Sequence, residues 1–181
     1  MGGVNQADPL IIQVAVIALV GIAAFTDVRG GVIPNWLTLP PLVVAPIAHG
    51  LVDGVRGLLA SVLGMLICAL VPLLVFYRGG MHGGDVKLFA AIGAVGGLYL
   101  GLETQFLALV AASVYALGQL AWNGKLLSSL ASSFFLGLNP VLPKRMRRTI
   151  APELMHRIRL GAAILLGAAI AVAEKHRELW V

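Results

Sequence analysis

Residues 57–77 read GLLASVLGMLICALVPLLVFY and contain no charged side chain. A helix that crosses the hydrocarbon core of a bilayer needs about 20 consecutive, mostly apolar residues. This segment has that length without interruption, and it ends at the polar sequence Arg78-Gly79-Gly80. The segment therefore predicts a transmembrane helix and sets the fold class expected for its neighbours.

Five further segments have the composition of a membrane span. They are residues 9–25, 36–52, 86–102, 104–122 and 160–173. Residues 126–142 are also apolar, but they are rich in serine and broken by Asn139-Pro140, so we predict an interfacial helix there, with a seventh span or a re-entrant segment as alternatives. The sequence thus predicts an all-α, polytopic transmembrane helical bundle of about six helices.

The composition excludes an ordinary soluble protein. Of the 181 residues, 59% are hydrophobic and only 12% are charged, whereas about a quarter of a soluble domain is charged. A water-soluble fold of this size cannot hide so much apolar surface. The net charge of +5 does not indicate nucleic-acid binding, because seven of the thirteen Lys and Arg residues cluster between Lys125 and Arg159, beside apolar segments. The single cysteine, Cys68, excludes an intramolecular disulfide.

The positions of the basic residues predict an orientation, because Lys and Arg concentrate on the cytoplasmic side of membrane proteins. With six spans and the N-terminus outside, the inside set has ten members: Arg29, Arg78, Lys87 and the seven from Lys125 to Arg159. The outside set is Arg56, Lys175 and Arg177. Both termini are therefore predicted outside, and Asp27 and Asp85 are predicted at the cytoplasmic face.

Asp27 follows the first predicted span and precedes a short connection that ends in Ile33-Pro34-Asn35. Pro34 cannot continue a helix, and Asn35 is a favourable N-cap for the next one. Taken alone, Asp27 is explained as a solvated carboxylate at the end of a helix.

Asp85 ends the segment Gly79-Gly80-Met81-His82-Gly83-Gly84-Asp85 and opens the fourth predicted span. As an N-cap, its carboxylate would accept hydrogen bonds from the first-turn N–H groups. Four glycines in six residues permit positive φ and close backbone approach, so an extended substrate strand is able to lie against this loop.

The two aspartates together indicate more than either does alone. Two carboxylates brought together do not both ionise easily and share a proton. One acts as a base on water while the other donates a proton to the peptide carbonyl. Asp27 and Asp85 are therefore candidate catalytic residues for peptide hydrolysis that uses no metal ion, no cofactor and no covalent nucleophile.

These motifs resemble those of the type IV prepilin peptidase family, the A24 aspartic peptidases, and above all its short forms that process Flp-type pilins. That family pairs an aspartate after its first core span with an aspartate that ends a Gly-x-Gly-Asp motif, and Asp27 and Asp85 match these positions. The supporting motif residues are Gly83, Gly84, Lys87, Pro34 and Asn35. In this sequence His82 stands where the family has the first motif glycine, and a histidine with positive φ is uncommon.

The resemblance implies a single transmembrane peptidase domain over residues 1–181 in a bacterial or archaeal cytoplasmic membrane. The implied substrate is a prepilin-like precursor with an N-terminal leader and a hydrophobic helix, cleaved without the methyltransferase activity of longer members. His82 is either an exposed loop residue or a group that tunes the aspartates, and Lys87 and Arg29 are expected to be cytoplasmic-face anchors. The small residues Gly93, Ala94, Gly96 and Gly97 suit either the substrate's helix or close packing of neighbouring helices.

Three other functions are compatible with the sequence. The first is a carrier or channel that uses acidic residues for proton or cation movement, although such a protein would place acids at mid-membrane depth rather than at span ends. The second is an inactive assembly partner of a pilus or secretion system. The third is a presenilin-like intramembrane protease, which requires larger spans and a deeper site.

Overall fold

A computed structural model describes residues 9–122 and 160–178 of the chain. These residues form four helices: α1, Pro9–Gly30; α2, Asn35–Tyr77; α3, Gly83–Trp122; and α4, Leu160–Glu178. The predicted all-α fold class is confirmed. The predicted interfacial helix at 126–142 and the basic segment that follows it lie outside the described residues.

The chain divides by its internal contacts into two compact units, Met1–Ala111 with Arg159–Val181, and Ala112–Ile158. Asp27 and Asp85 both belong to the first unit, which contains all of α1, α2 and α4 and the larger part of α3. The assignment of one peptidase domain to residues 1–181 stays a prediction.

The surface of the described helices is suited to lipid. Within the described residues, three segments are long and apolar enough to cross a membrane: Pro9–Gly30, Asn35–Tyr77 and Gly83–Gly118. Large apolar side chains such as Val14, Leu59 and Phe106 are more than half exposed, which a bilayer tolerates and water does not. The chain is therefore a multi-pass membrane protein, and its count of about six crossings stays a prediction.

Two glycines interrupt the long helices α2 and α3. Gly54 has φ 64° and ψ −153°, and Gly97 has φ 78° and ψ 177°, so neither residue is helical. A Cβ on Gly57 would meet the carbonyl of His49, and one on Gly101 would lie 3.0 Å from the Cα of Gly93. Residues eight apart in an unbroken helix are separated by about 12 Å, so the chain turns back at both breaks.

The second of these breaks corrects a predicted boundary. The fourth span was expected to run to Leu102 and to stop at Glu103, but the helix is broken five residues earlier, at Gly97. The predicted end before the charged residue Glu103 is wrong, because the hydropathy of an apolar segment gives no information about a change of φ within it. A positive φ costs glycine little, and Gly97 provides it in the middle of that run.

The break at Gly97 leaves backbone carbonyls at the end of a helical segment without their usual intrahelical partners. Side chains of α2 supply donors instead. The Ser61 hydroxyl donates to the Ala94 carbonyl at 2.7 Å, and Nε2 of His49 lies 3.1 Å from the Val95 carbonyl, which requires that Nε2 carry the hydrogen. His49 thus satisfies a backbone group that lipid cannot hydrate.

Small residues set the distances between the helices. A Cβ on Gly93 would lie 2.8 Å from both Cβ and Sγ of Cys68, so this glycine allows α2 and α3 to approach closely. Of the two uses considered for Gly93, helix packing is the one seen in the structure. Gly167 of α4 packs in the same way on α3, since its Cβ would lie 2.6 Å from the backbone nitrogen of Ala108.

Candidate functional site

Asp27 lies inside α1, because the helix continues past the predicted end at Phe25 and stops at Gly30. Gly31 ends it: its φ is +65°, and its N–H donates to the Asp27 carbonyl at 2.8 Å. This is the glycine cap in which a left-handed residue satisfies a carbonyl of the last turn. Asp27 is only 7% exposed, so its interpretation as a solvated carboxylate is wrong.

Asp85 is the third residue of α3, which begins at Gly83 rather than at the predicted Val86. The N-cap is therefore His82, and the prediction of Asp85 as N-cap is wrong. The Asp85 Oδ2 accepts a hydrogen bond from the backbone N–H of His82 at 3.2 Å. This is the reverse half of a capping box, in which an acidic side chain in the first turn reaches back to the N-cap N–H. Asp85 is 4% exposed.

The glycine-rich loop uses its glycines for different purposes. Gly79 has φ +76° and ends α2, since its N–H donates to the Phe76 carbonyl and that of Gly80 donates to the Val75 carbonyl. Gly83 and Gly84 are helical. Among residues 9–122 and 160–178, no residue other than glycine has a positive φ, so His82 replaces the motif glycine without backbone strain.

His82 was predicted to be either an exposed loop residue or a group that tunes the aspartates, and the structure has features of both. Its side chain is 61% exposed, as expected for a loop residue. Its Nδ1 nevertheless lies 3.9 Å from Oδ2 of Asp85, which is an ion pair whenever the imidazole is protonated.

The structure brings Asp27 and Asp85 together at one end of the helices. The two carboxyl groups are close enough to interact electrostatically, although 58 residues separate them. The connection after α1 packs directly on the start of α3: a Cβ on Gly84 would lie 3.1 Å from the Cβ of Ile33. Gly84 is therefore needed for the close approach of the two segments that carry the aspartates.

A second contact joins the same two segments. The Lys87 ammonium donates to Oδ1 of Asn35 at 2.8 Å. The prediction of Asn35 as an N-cap is wrong: Pro34 is the N-cap of α2, with extended backbone and no side-chain cap bond, and Asn35 is the first helical residue. The Asn35 side chain is thus used across 52 residues to hold Lys87 rather than to cap its own helix.

Helix α4 supplies a contact that sequence reasoning missed. The backbone N–H of Gly161 donates to Oδ2 of Asp27 at 2.9 Å, in a buried hydrogen bond. A backbone amide 134 residues away has no sequence signal, because every residue type except proline carries the same N–H. Arg29, the other predicted anchor, lies over the ring of Phe25, with its guanidinium carbon 4.2 Å from the ring centroid.

Residues 9–122 and 160–178 contain no group of three or more His, Cys, Asp or Glu residues that could hold a metal ion. The chemistry that this arrangement offers is that of two buried carboxyl groups close enough to interact electrostatically. In such a pair one carboxyl group can act as a base on water while the other donates a proton.

The fold and this site together define a multi-pass helical membrane protein with paired buried aspartates at one end. The model of the type IV leader peptidase family matches residues 14–117, which is more than half of the chain. The chain therefore belongs to this family, and the resemblance drawn from the sequence is confirmed.

A curated relative supports the same assignment. The chain is 34% identical over 105 residues to the "Prepilin leader peptidase/N-methyltransferase" of Bacillus subtilis (strain 168). The match covers 56% of this chain and 42% of that protein, so it spans less than half the length of the relative. No solved structure matches the chain.

Proposed function

We propose that this protein is a membrane aspartic endopeptidase that removes the leader peptide of type IV prepilin-like precursors, with Asp27 and Asp85 as its catalytic pair. The observation that carries the proposal is that these two remote carboxyl groups are both buried and lie close enough to interact electrostatically, at one end of the helices. Membership of the leader peptidase family and the name of the Bacillus subtilis relative support the choice of substrate.

The proposed mechanism needs one ionised and one protonated carboxyl group. The ionised group removes a proton from a water molecule, whose oxygen attacks the scissile peptide carbonyl. The protonated group donates a hydrogen bond, and then its proton, to the carbonyl oxygen as charge develops there. The tetrahedral intermediate then collapses. The carboxyl group that took the water proton gives it to the departing amine nitrogen, and the other carboxylate takes a proton from a hydroxyl of the intermediate, so the pair again holds one proton.

The site is proposed to face the cytoplasm of a bacterial or archaeal cell. Arg29, Arg78 and Lys87 lie close in sequence to the two aspartates, and basic residues of this kind concentrate on the inner side of a membrane. We propose precursors of the small Flp type as substrates, because the motifs resemble those of the short family members. The hydrophobic helix of such a precursor would remain in the bilayer while its leader reached the aspartates.

The test is cleavage of a prepilin by the purified protein reconstituted in liposomes. Asp27→Asn and Asp85→Asn keep the size of each side chain but remove its ability to take up or donate a proton. Each is expected to lower the cleavage rate by about 10²- to 10⁴-fold. Asp53→Asn, at the Gly54 break of α2, changes an acid that is not part of the pair and is expected to leave the rate unchanged. The products are measured by mass spectrometry, which also locates the cleaved bond.

The alternatives give different results in this experiment. Undiminished cleavage by either aspartate variant contradicts the catalytic pair. Absence of cleavage by the unaltered protein, with a proton or cation flux that both variants abolish, identifies a carrier or channel. Absence of both activities, with a stable complex between the protein and a pilus component, identifies an inactive assembly partner.

A further inference from the structure

Helix α4 lies outside residues 14–117, the part of the chain that the family model matches, yet it contacts one of the two aspartates. Gly161 is the second residue of α4, and its N–H is one of the first-turn amides that have no partner within their own helix. This N–H donates to Oδ2 of Asp27 at 2.9 Å. A first-turn amide also lies at the positive end of the helix dipole, which favours a carboxylate.

The absence of a side chain at position 161 is as important as the amide. A Cβ there would lie 2.8 Å from both Cβ and Oδ2 of Asp27, and 3.1 Å from Cα of Ala24. The two distances of 2.8 Å are too short for a non-bonded carbon, so a larger residue would displace either α4 or the Asp27 carboxyl group. Glycine is therefore the residue that lets α4 approach α1 closely enough to donate this hydrogen bond.

We infer that Gly161 is a positioning residue of the active site, which holds the Asp27 carboxyl group in its catalytic orientation through its backbone N–H. This inference rests on the proposed function of Asp27. It makes the beginning of α4 a third component of the site, beside the segments that carry Asp27 and Asp85. Gly161 itself does not touch the substrate, and acts through Asp27.

The first test compares two glycines of the same helix. Gly161→Ala places its Cβ against Asp27, whereas Gly167→Ala places its Cβ against the backbone of Thr104 and Ala108 on α3, at 2.7 and 2.6 Å. Both variants disturb packing of α4, but only the first disturbs an aspartate. Because misplacing a catalytic group by 1 Å costs about 10²-fold in rate, Gly161→Ala is expected to lower kcat at least about tenfold with little change in KM. Gly167→Ala is expected to keep its kcat per folded molecule.

The second test removes the N–H without adding an atom. The amide nitrogen of Gly161 is replaced by an ester oxygen in the full-length protein, and the same replacement at the neighbouring, exposed Ala162 is the control. Loss of a hydrogen bond to a charged group is expected to lower kcat about ten- to hundredfold at Gly161. Equal effects of the two ester replacements, or equal loss of kcat in Gly161→Ala and Gly167→Ala, would overturn the inference.

A third measurement does not depend on peptidase activity. In protein labelled with ¹⁵N-glycine, the Gly161 amide resonance is identified by its disappearance in Gly161→Ala. Its proton is expected to shift upfield in Asp27→Ala, because the acceptor is removed, while the Gly167 amide stays in place. A Gly161 amide that does not respond to Asp27→Ala overturns the inference. If the unaltered protein cleaves no prepilin but this shift is present, the proposed function fails and the contact between α4 and Asp27 stands.

Discussion

The close contact between Gly84 and Ile33 predicts the effect of adding one methyl group at position 84. In the substitution Gly84→Ala, the new Cβ would lie 3.1 Å from Cβ of Ile33 and 3.3 Å from its carbonyl oxygen. The matched control is Gly83→Ala, whose Cβ would come no closer than 3.7 Å to the ring of Phe76, an ordinary van der Waals distance. Both residues lie in the first turn of α3, so the two variants differ in packing rather than in helix propensity.

The expected magnitudes follow from two opposing effects. Replacing glycine by alanine in a helix contributes up to about 1 kcal/mol of stability, so Gly83→Ala is expected to be neutral or slightly stabilising. Inserting a methyl group into a tight contact costs about 1–3 kcal/mol, so Gly84→Ala is expected to be less stable than Gly83→Ala by about that amount. Since 1 kcal/mol corresponds to about 2–4 °C in a protein of this size, thermal unfolding in one detergent resolves the difference.

The same substitution is expected to affect cleavage. Ile33 follows the helix of Asp27, and Gly84 immediately precedes Asp85, so a methyl group between them separates the two aspartates by a few tenths of an ångström. A lower kcat is expected for Gly84→Ala and an unchanged kcat for Gly83→Ala, measured on the same prepilin. Equal stability and equal kcat in the two variants would refute the idea that this close approach sets the geometry of the site.

Two further predictions concern side-chain hydrogen bonds. The exposed Lys87–Asn35 hydrogen bond is expected to contribute about 0.5–1 kcal/mol to the free energy of unfolding. A double-mutant cycle of Lys87→Met and Asn35→Ala, measured by denaturant titration, is expected to show a coupling of that size, and strictly additive effects would contradict a link between the segments. Ser61→Ala removes the donor to the Ala94 carbonyl beside the Gly97 break, and it is expected to lower the free energy of unfolding by about 1–3 kcal/mol in a denaturant titration. Ser61→Cys is expected to have an intermediate effect, and an unchanged free energy in Ser61→Ala would show that this carbonyl has another donor.

The sequence by itself determined that the chain lies in a lipid bilayer, and it identified the two candidate aspartates. Long apolar segments require a bilayer because their backbone groups must bond internally and their side chains gain nothing from water, and this holds for any arrangement of the helices. The motifs around Asp27 and Asp85 also identified the family from the sequence alone, because they are local patterns of residue type that do not depend on how the helices pack. Helix ends were predicted less well: Asp27 lies inside α1, and Gly97, not Glu103, breaks α3, because a single φ angle decides these ends.

Only the tertiary structure decided which groups meet. Asp27 and Asp85 are buried only because the helices pack together. The hydrogen bonds from Lys87 to Asn35 and from Gly161 to Asp27 join residues that are at least 52 positions apart. Such contacts depend on how closely two backbones approach, and glycines such as Gly84 and Gly161 allow the close approach beside the two aspartates. A sequence lists these glycines without stating which neighbour each one faces, so the partners of the aspartates become visible only when the helices are packed together.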